Sequence, residues 1–431
     1  MTEPAGRSGL GALAHRNFRL FFIGQGISLI GTWMQNIGEG WLVLTLTNSP
    51  FYVGLVSALS SLGVLLLTIY AGIVADRTDK RRTIVIAQVL FMLEAFAVAI
   101  LVWTGVVKVW HVMTLATLLG VASAFDIPTR QSFIVELVGK EDLMNAIALN
   151  SSMFNGARII GPAIAGILVA KIGEGWCFFA NAVSYIAVII GLLMMRVQPR
   201  ANAATGSPLT HIVEGFRFAR RTAPIRALLL LLGLVSLVAM PYTVLMPVFA
   251  DKILHGGARG LGILMGATGI GALLGALTLA TRSGVSGLGR WVALSCAGAG
   301  VGLVLFSLSR NFLLSTALLL PVGFCIMLQM SSSNTLIQVM VPDHLRGRIM
   351  AMYTMMFMGM APFGSLFAGA LAEHLGAPLT VRIGALACIG GALLFGIHLP
   401  KVRVEARRLI VAQEAAGGEP AVEITASIVE E

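Results

Sequence analysis

The chain has 431 residues, of which 57% are hydrophobic and 12% charged, with a net charge of +10 and a mean hydropathy of +0.88. Soluble domains carry about 25% charged residues, so this composition excludes a soluble protein and defines a polytopic membrane class. The positive charge does not indicate a nucleic-acid partner. Lys and Arg cluster in short segments between apolar runs, as topology requires, and form no basic domain or stripe.

Cys177, Cys296, Cys325 and Cys388 stand apart, with neither metal-ligand spacing nor a disulfide framework. No metal and no cofactor is expected. The first apolar run, 18–46, exceeds the apolar core of a signal peptide and is expected to remain as the first span.

A membrane-crossing helix needs about 20 mostly apolar residues. Such runs fall at 18–46, 51–75, 83–104, 109–137, 146–171 and 176–195. They resume at 226–251, 258–281, 289–309, 311–340, 349–372 and 378–399. The expected fold is an all-α membrane protein with twelve transmembrane helices in two pseudo-symmetric six-helix bundles. The expected divisions are an N-terminal bundle (1–195), a central loop (196–225), a C-terminal bundle (226–399) and a partly disordered tail (400–431). Within the loop, 209–221 is expected to form an amphipathic helix that offers Ile212, Phe216 and Phe218 to the membrane.

Lys and Arg also orient the chain. One side receives Arg7, Arg16, Arg19, Arg77, Lys80, Arg81, Arg82, the arginines of 196–226, Arg282, Arg290, Arg346, Arg348 and the basic stretch 401–408. The other side receives little beyond Lys108, Lys171, Lys252, Arg259, Arg310 and Arg382. Both termini and the central loop are therefore expected in the cytoplasm.

The halves repeat. The stretch 134–168 resembles 337–371: each is an apolar helix, a polar turn and a Gly-punctuated helix. Parallel six-helix repeats are one transporter architecture, with the substrate site near the midplane.

Polar residues within the spans carry the functional signal. In the first span Gln25, Ser28, Thr32, Gln35, Asn36 and Glu39 recur at helical spacing. Such a stripe is costly against lipid, so it lines either an aqueous cavity or a partner helix. Glu94 is alone in the third span. Ser123, Asp126 and Arg130 share a face of the fourth, and Ser151, Asn155, Arg158 and Pro162 a face of the fifth. Asp126 and Arg158 either serve the cavity or pair to hold helices together. The tenth span adds Gln329, Ser331, Asn334, Thr335 and Gln338. Methionines at 350, 352, 355, 356, 358 and 360 crowd the eleventh, where packing filler outweighs an adaptable binding surface. The expected substrate cavity is lined by Gln25, Thr32, Gln35, Asn36, Glu39, Asp126, Asn155, Arg158, Gln329 and Asn334. Glu39, Glu94 and Asp126 are the candidates for proton coupling, because acids within the spans are scarce. No phosphate loop, H-E-x-x-H pair or nucleophile elbow is present, so neither ATP-driven pumping nor an enzyme is expected.

After the second span the chain reads GIVADRTDKRR (72–82), which resembles the loop signature of the major facilitator superfamily. FRLFFIGQGISLIGTWMQ, FDIPTRQSFIVELV, NAIALNSSMFNGARIIGPAIAG, CFFANAVSYIA and VPDHLRGRIMAMY look like its enterobactin-exporter-like branch, the transmembrane secretion effectors. The similarity runs through nearly all of 15–400. It implies a cytoplasmic gate at Gly72, Asp76, Arg77 and Arg81, and it makes Gly161 and Pro162 the Gly-Pro of a fifth-span motif associated with antiporters. Gly156, Gly161 and Gly166 are spaced differently from that motif's usual form. Glu39 and Glu94 stand where the branch is expected to be apolar. The resemblance implies proton-driven export of a siderophore, drug or similar amphipathic molecule from a multi-pass protein of the cytoplasmic (inner) membrane. The expected partners are a small-molecule substrate, protons and membrane lipid. A facilitator or importer of a small metabolite or lipid with the same fold is the alternative.

Overall fold

The computed structural model describes residues 11–139, 142–195, 216–282 and 284–415, all as helices and short connections with no strand among them. The first six long helices are α1 (Arg16–Thr47), α2 (Pro50–Arg77), α3 (Lys80–Trp103), α4 (Val109–Val138), α5 (Leu143–Ile172) and α6 (Gly175–Met194). The next begins as α7 (Ala223–Leu234) and continues through π and 3-10 turns to Ile253, where Pro241 and Pro247 interrupt the regular hydrogen-bond ladder. Then follow α8 (Gly257–Ala280), α9 (Leu288–Leu308), α10 (Phe312–Met340), α11 (Asp343–Met358), α12 (Ala361–Leu375) and α13 (Ala377–Ala415).

Among the described residues, eleven stretches are long and apolar enough to cross a membrane, with α11 and α12 forming one stretch from Leu345 to Leu375. The twelfth helix of spanning length is α1, with 32 residues, whose polar stripe keeps it out of that set. The protein is thus an all-helical, multi-pass membrane protein of about twelve spans.

The chain divides into two compact units, one of Met1–Thr205 with Ala250–Gly266 and one of Gly206–Phe249 with Ala267–Glu431. Within the first, α1 packs on α5 and α6, α3 on α4 and α6, and α2 on α4. Phe18, Phe21, Ile84, Phe133 and Leu192 form the apolar core at one end. Within the second, α9 packs on α10 and α13, and α13 on α7.

The internal repeat is visible in the packing. A Cβ at Gly120 of α4 would lie 2.3 Å from the Ser60 carbonyl oxygen of α2, and one at Gly323 of α10 would lie 2.1 Å from that of Thr268 of α8. No larger side chain permits either approach, so the second and fourth spans meet as the eighth and tenth do. The fifth span and the α11–α12 stretch likewise both end on a positive-φ glycine, Gly173 and Gly376.

Two local results refine the expected boundaries. α13 continues past Pro400 to Ala415, tied back by the Glu405 carboxylate, which accepts a hydrogen bond from the Ala223 backbone at 3.3 Å. Of the expected amphipathic helix, 216–221 is helical with Phe216 exposed, while 209–215 and Ile212 lie outside the described residues, as does the tail from 416 onward.

Candidate functional site

The densest polar arrangement lies inside the first unit, where α1, α3 and α6 meet. Glu94, on α3, is 8% exposed and accepts a hydrogen bond from the Gln35 amide of α1 at 2.9 Å. The Gln35 carbonyl in turn accepts from the Asn181 amide of α6 at 2.6 Å. Asn181 also donates to the Tyr185 hydroxyl at 3.3 Å, and that hydroxyl lies 3.4 Å from Thr32 Oγ1. Three helices are therefore joined by one chain: Glu94, Gln35, Asn181, Tyr185 and Thr32. Both amides are oriented by it, since Gln35 must present N–H to the acid and C=O to Asn181. Gln35 and Asn181 are fully buried, so the chain is a constrained feature of the bundle interior and no surface decoration.

The helices reach this arrangement through small residues. A Cβ at Gly31 of α1 would overlap Asn181 Oδ1 at 2.5 Å, so glycine there lets α6 approach and places Asn181 beside Gln35. Glu39 follows Gln35 by about one turn, is half-buried, and interacts electrostatically with Glu94.

A second centre lies on α4, in the first unit. Asp126 is buried and paired with Arg130 one turn along its own helix, on either side of Pro128, which the helix accommodates without a break. Gln88 of α3 donates to the other Asp126 oxygen at 3.2 Å. Gln88 and Glu94 both belong to α3, so that helix touches both acid centres, and Tyr185 interacts electrostatically with Glu94 and Arg130.

Arg158 does not reach Asp126. Its guanidinium lies over the Trp33 ring of α1, 5.8 Å from the centroid, and Phe154 packs edge-on against the same ring. Gly161 makes this possible, since a Cβ there would lie 2.4 Å from Trp33 Cβ. Pro162 is buried, and its carbonyl oxygen lies 2.6 Å from where a Cβ of Gly262 would stand. Asn155 folds back to donate to the Ser151 carbonyl at 2.9 Å.

The remaining expected residues are placed as follows. Gln25 is buried with its carbonyl oxygen unpartnered among the described residues, whereas Asn36 is exposed and outside the Glu94 chain. On α10, Gln329 is buried and donates to Ser333 at 3.4 Å, while its Oε1 has no partner among the described residues. Asn334 accepts from Gln338. At the loop motif, Gly72 faces open space and Arg81 donates to the Leu193 carbonyl of α6 at 2.7 Å, a cation at a helix C-terminus. The side chains of Asp76 and Arg77 lie outside the described residues. Lys80 pairs with Glu136, joining the start of α3 to the end of α4.

Sequence reasoning did not single out Gln88, Asn181 or Tyr185. Each is one of the few polar residues in an apolar helix, and that was its only signal. No group of three His, Cys, Asp or Glu among the described residues could hold a metal ion.

Solved structures with a similar fold include a POT family transporter, with a TM-score of 0.73 at 10% identity over 90% of this chain and 96% of that one. The nucleoside transporter NupG has a TM-score of 0.69 at 15% identity over 89% and 98%. At these identities the likeness is one of fold, a membrane-embedded bundle of helices. The profile of the transmembrane secretion effectors matches residues 7–423, and the chain belongs to that family. It is similar to the staphyloferrin A transporter of Staphylococcus aureus (27% identity; 88% of this chain, 95% of that one). It is also similar to the enterobactin exporter EntS of Escherichia coli O1:K1 (26% identity; 91% and 93%).

Proposed function

We propose that this transporter exports a small amphipathic molecule, a siderophore or drug, in exchange for protons by alternating access across the cytoplasmic membrane, with both termini cytoplasmic. The observation that carries this reading is the buried Glu94 carboxyl, held by a hydrogen-bond chain that crosses three helices. An acid within a span is costly unless it has partners and a role. Here Gln35 binds Oε2, leaving Oε1 to take the proton. Loss of the negative charge weakens the charge-assisted bond from Gln35, and Gln35 cannot turn without releasing Asn181. A proton at Glu94 thereby alters the contact of α1 with α6. Glu39 and Asp126 are the further coupling candidates, the latter already balanced by Arg130.

On this reading the bundles span 1–195 and 226–399, joined by the loop 196–225 and followed by the tail 400–431. Gly72, Asp76, Arg77 and Arg81 form the cytoplasmic gate, and Gly161 and Pro162 set the approach of the fifth span. Thr32, Asn36, Asn155, Arg158 and Asn334 supply the polar lining of the substrate path, with the buried Gln25, Gln35 and Gln329 behind it. The two relatives named for siderophores support the substrate class. Since the staphyloferrin A relative is named only a transporter, import or facilitated passage of a metabolite or lipid is the second reading. Cells with and without the protein, preloaded with iron-free siderophore, separate the two. Export predicts faster loss from expressing cells, and faster external uptake instead would overturn it.

A further inference from the structure

At one end of the second unit, a groove of about 450 Å³ opens between the start of α7, the turn before α9, the end of α10 and the last turns of α13. Its floor is apolar, with Leu228, Leu336, Met340 and Leu399. Its rim carries Arg290, Arg403 and Arg407. All three arginines are exposed, and none of their guanidiniums has a hydrogen-bond or ion-pair partner among the described residues. The neighbouring acid, Glu405, is engaged at the start of α7. In the same unit, Arg217, Arg220, Arg221 and Arg226 line a second depression with Phe216.

We infer that this groove binds an anionic phospholipid, acyl chain against the leucines and headgroup phosphate among Arg290, Arg403 and Arg407. The length of α13 sets the depth. About 20 residues from Ala377 reach the hydrocarbon boundary near Leu399, so Arg403 and Arg407 stand about one and two turns beyond it, at headgroup level. The apolar floor thus lies at acyl depth and the unpaired cations at phosphate depth. Arginine clusters just outside a span are the expected partners of anionic headgroups. The guanidinium fork matches a phosphate in two-point fashion, and a zwitterionic headgroup offers less net charge.

The test is lipid retention by the purified full-length protein, measured by native mass spectrometry after exchange into mixed phosphatidylglycerol and phosphatidylcholine. The wild type should retain phosphatidylglycerol preferentially. Each arginine near the surface is worth roughly fivefold, so the triple variant Arg290→Gln/Arg403→Gln/Arg407→Gln should lose about a hundredfold in preference. Leu336→Trp, which fills the floor with the arginines intact, should also lower retention. Inorganic phosphate at millimolar concentration should not displace the lipid. Equal retention of both lipids by the wild type, or displacement by phosphate alone, would overturn the inference. So would unchanged retention in both variants, the result expected if a second copy or the chain's own C-terminal segment occupies the groove.

Discussion

Gln35 is the joint of the proposed coupling chain, and its removal has a calculable cost. Gln35→Leu keeps the helix propensity of the position while deleting bonds of 2.9 Å to Glu94 and 2.6 Å to Asn181. Hydrogen bonds between membrane helices contribute about 0.6 kcal/mol on average and up to about 1.7. Losing two predicts a destabilisation of about 1–3 kcal/mol. The informative quantity is the coupling with Glu94→Gln, because a direct bond makes the two effects non-additive. Reversible unfolding in mixed micelles, followed by tryptophan fluorescence, should give a coupling energy of about 0.6–1.7 kcal/mol. The pair Gln35→Leu with Asn36→Ala should be additive, since Asn36 is exposed and lies outside the chain. A Gln35–Glu94 coupling below about 0.3 kcal/mol, within ordinary additivity error, would refute the reasoning.

Gly323→Val should destabilise by about 1–3 kcal/mol or more, because the new Cβ would meet the Thr268 carbonyl at 2.1 Å and backbone must move; Gly156→Ala, with open space around it, is the neutral control, and thermal unfolding in detergent compares the two. Arg158→Ala removes a cation–π contact worth about 0.5–1 kcal/mol, so the variant should fold with nearly unchanged thermal stability yet lose most substrate flux in vesicles. Wild-type flux would assign Arg158 to packing against Trp33 alone.

The sequence carried the architecture because lipid imposes a coarse, readable rule: about 20 apolar residues per span, with basic residues between them. α1 was recognisable as an apolar run that carries a polar stripe, and Gln25, Ser28 and Gln35 of that stripe are buried. The partners were not legible. Glu94 could be found as a lone acid, but its bond to Gln35 depends on α1 and α3 meeting the same helix, α6, which no local spacing encodes. Asn181 and Tyr185 look like single polar exceptions until Gly31 lets α6 close on α1. A pairing of Arg158 with Asp126 was one of the two readings open because charge complementarity is visible in a sequence, while an aromatic face such as Trp33 offers no comparable signal. Asp126 instead finds its cation four residues away, where a one-turn pairing could be read directly.

The central claim is that a proton at Glu94 drives export. Purified protein in liposomes, loaded with iron-free siderophore and given an imposed pH gradient, tests it directly. The account predicts gradient-dependent flux that Glu94→Gln abolishes while the variant still folds and binds substrate. Flux that ignores the gradient, or that Glu94→Gln leaves at the wild-type level, would contradict it.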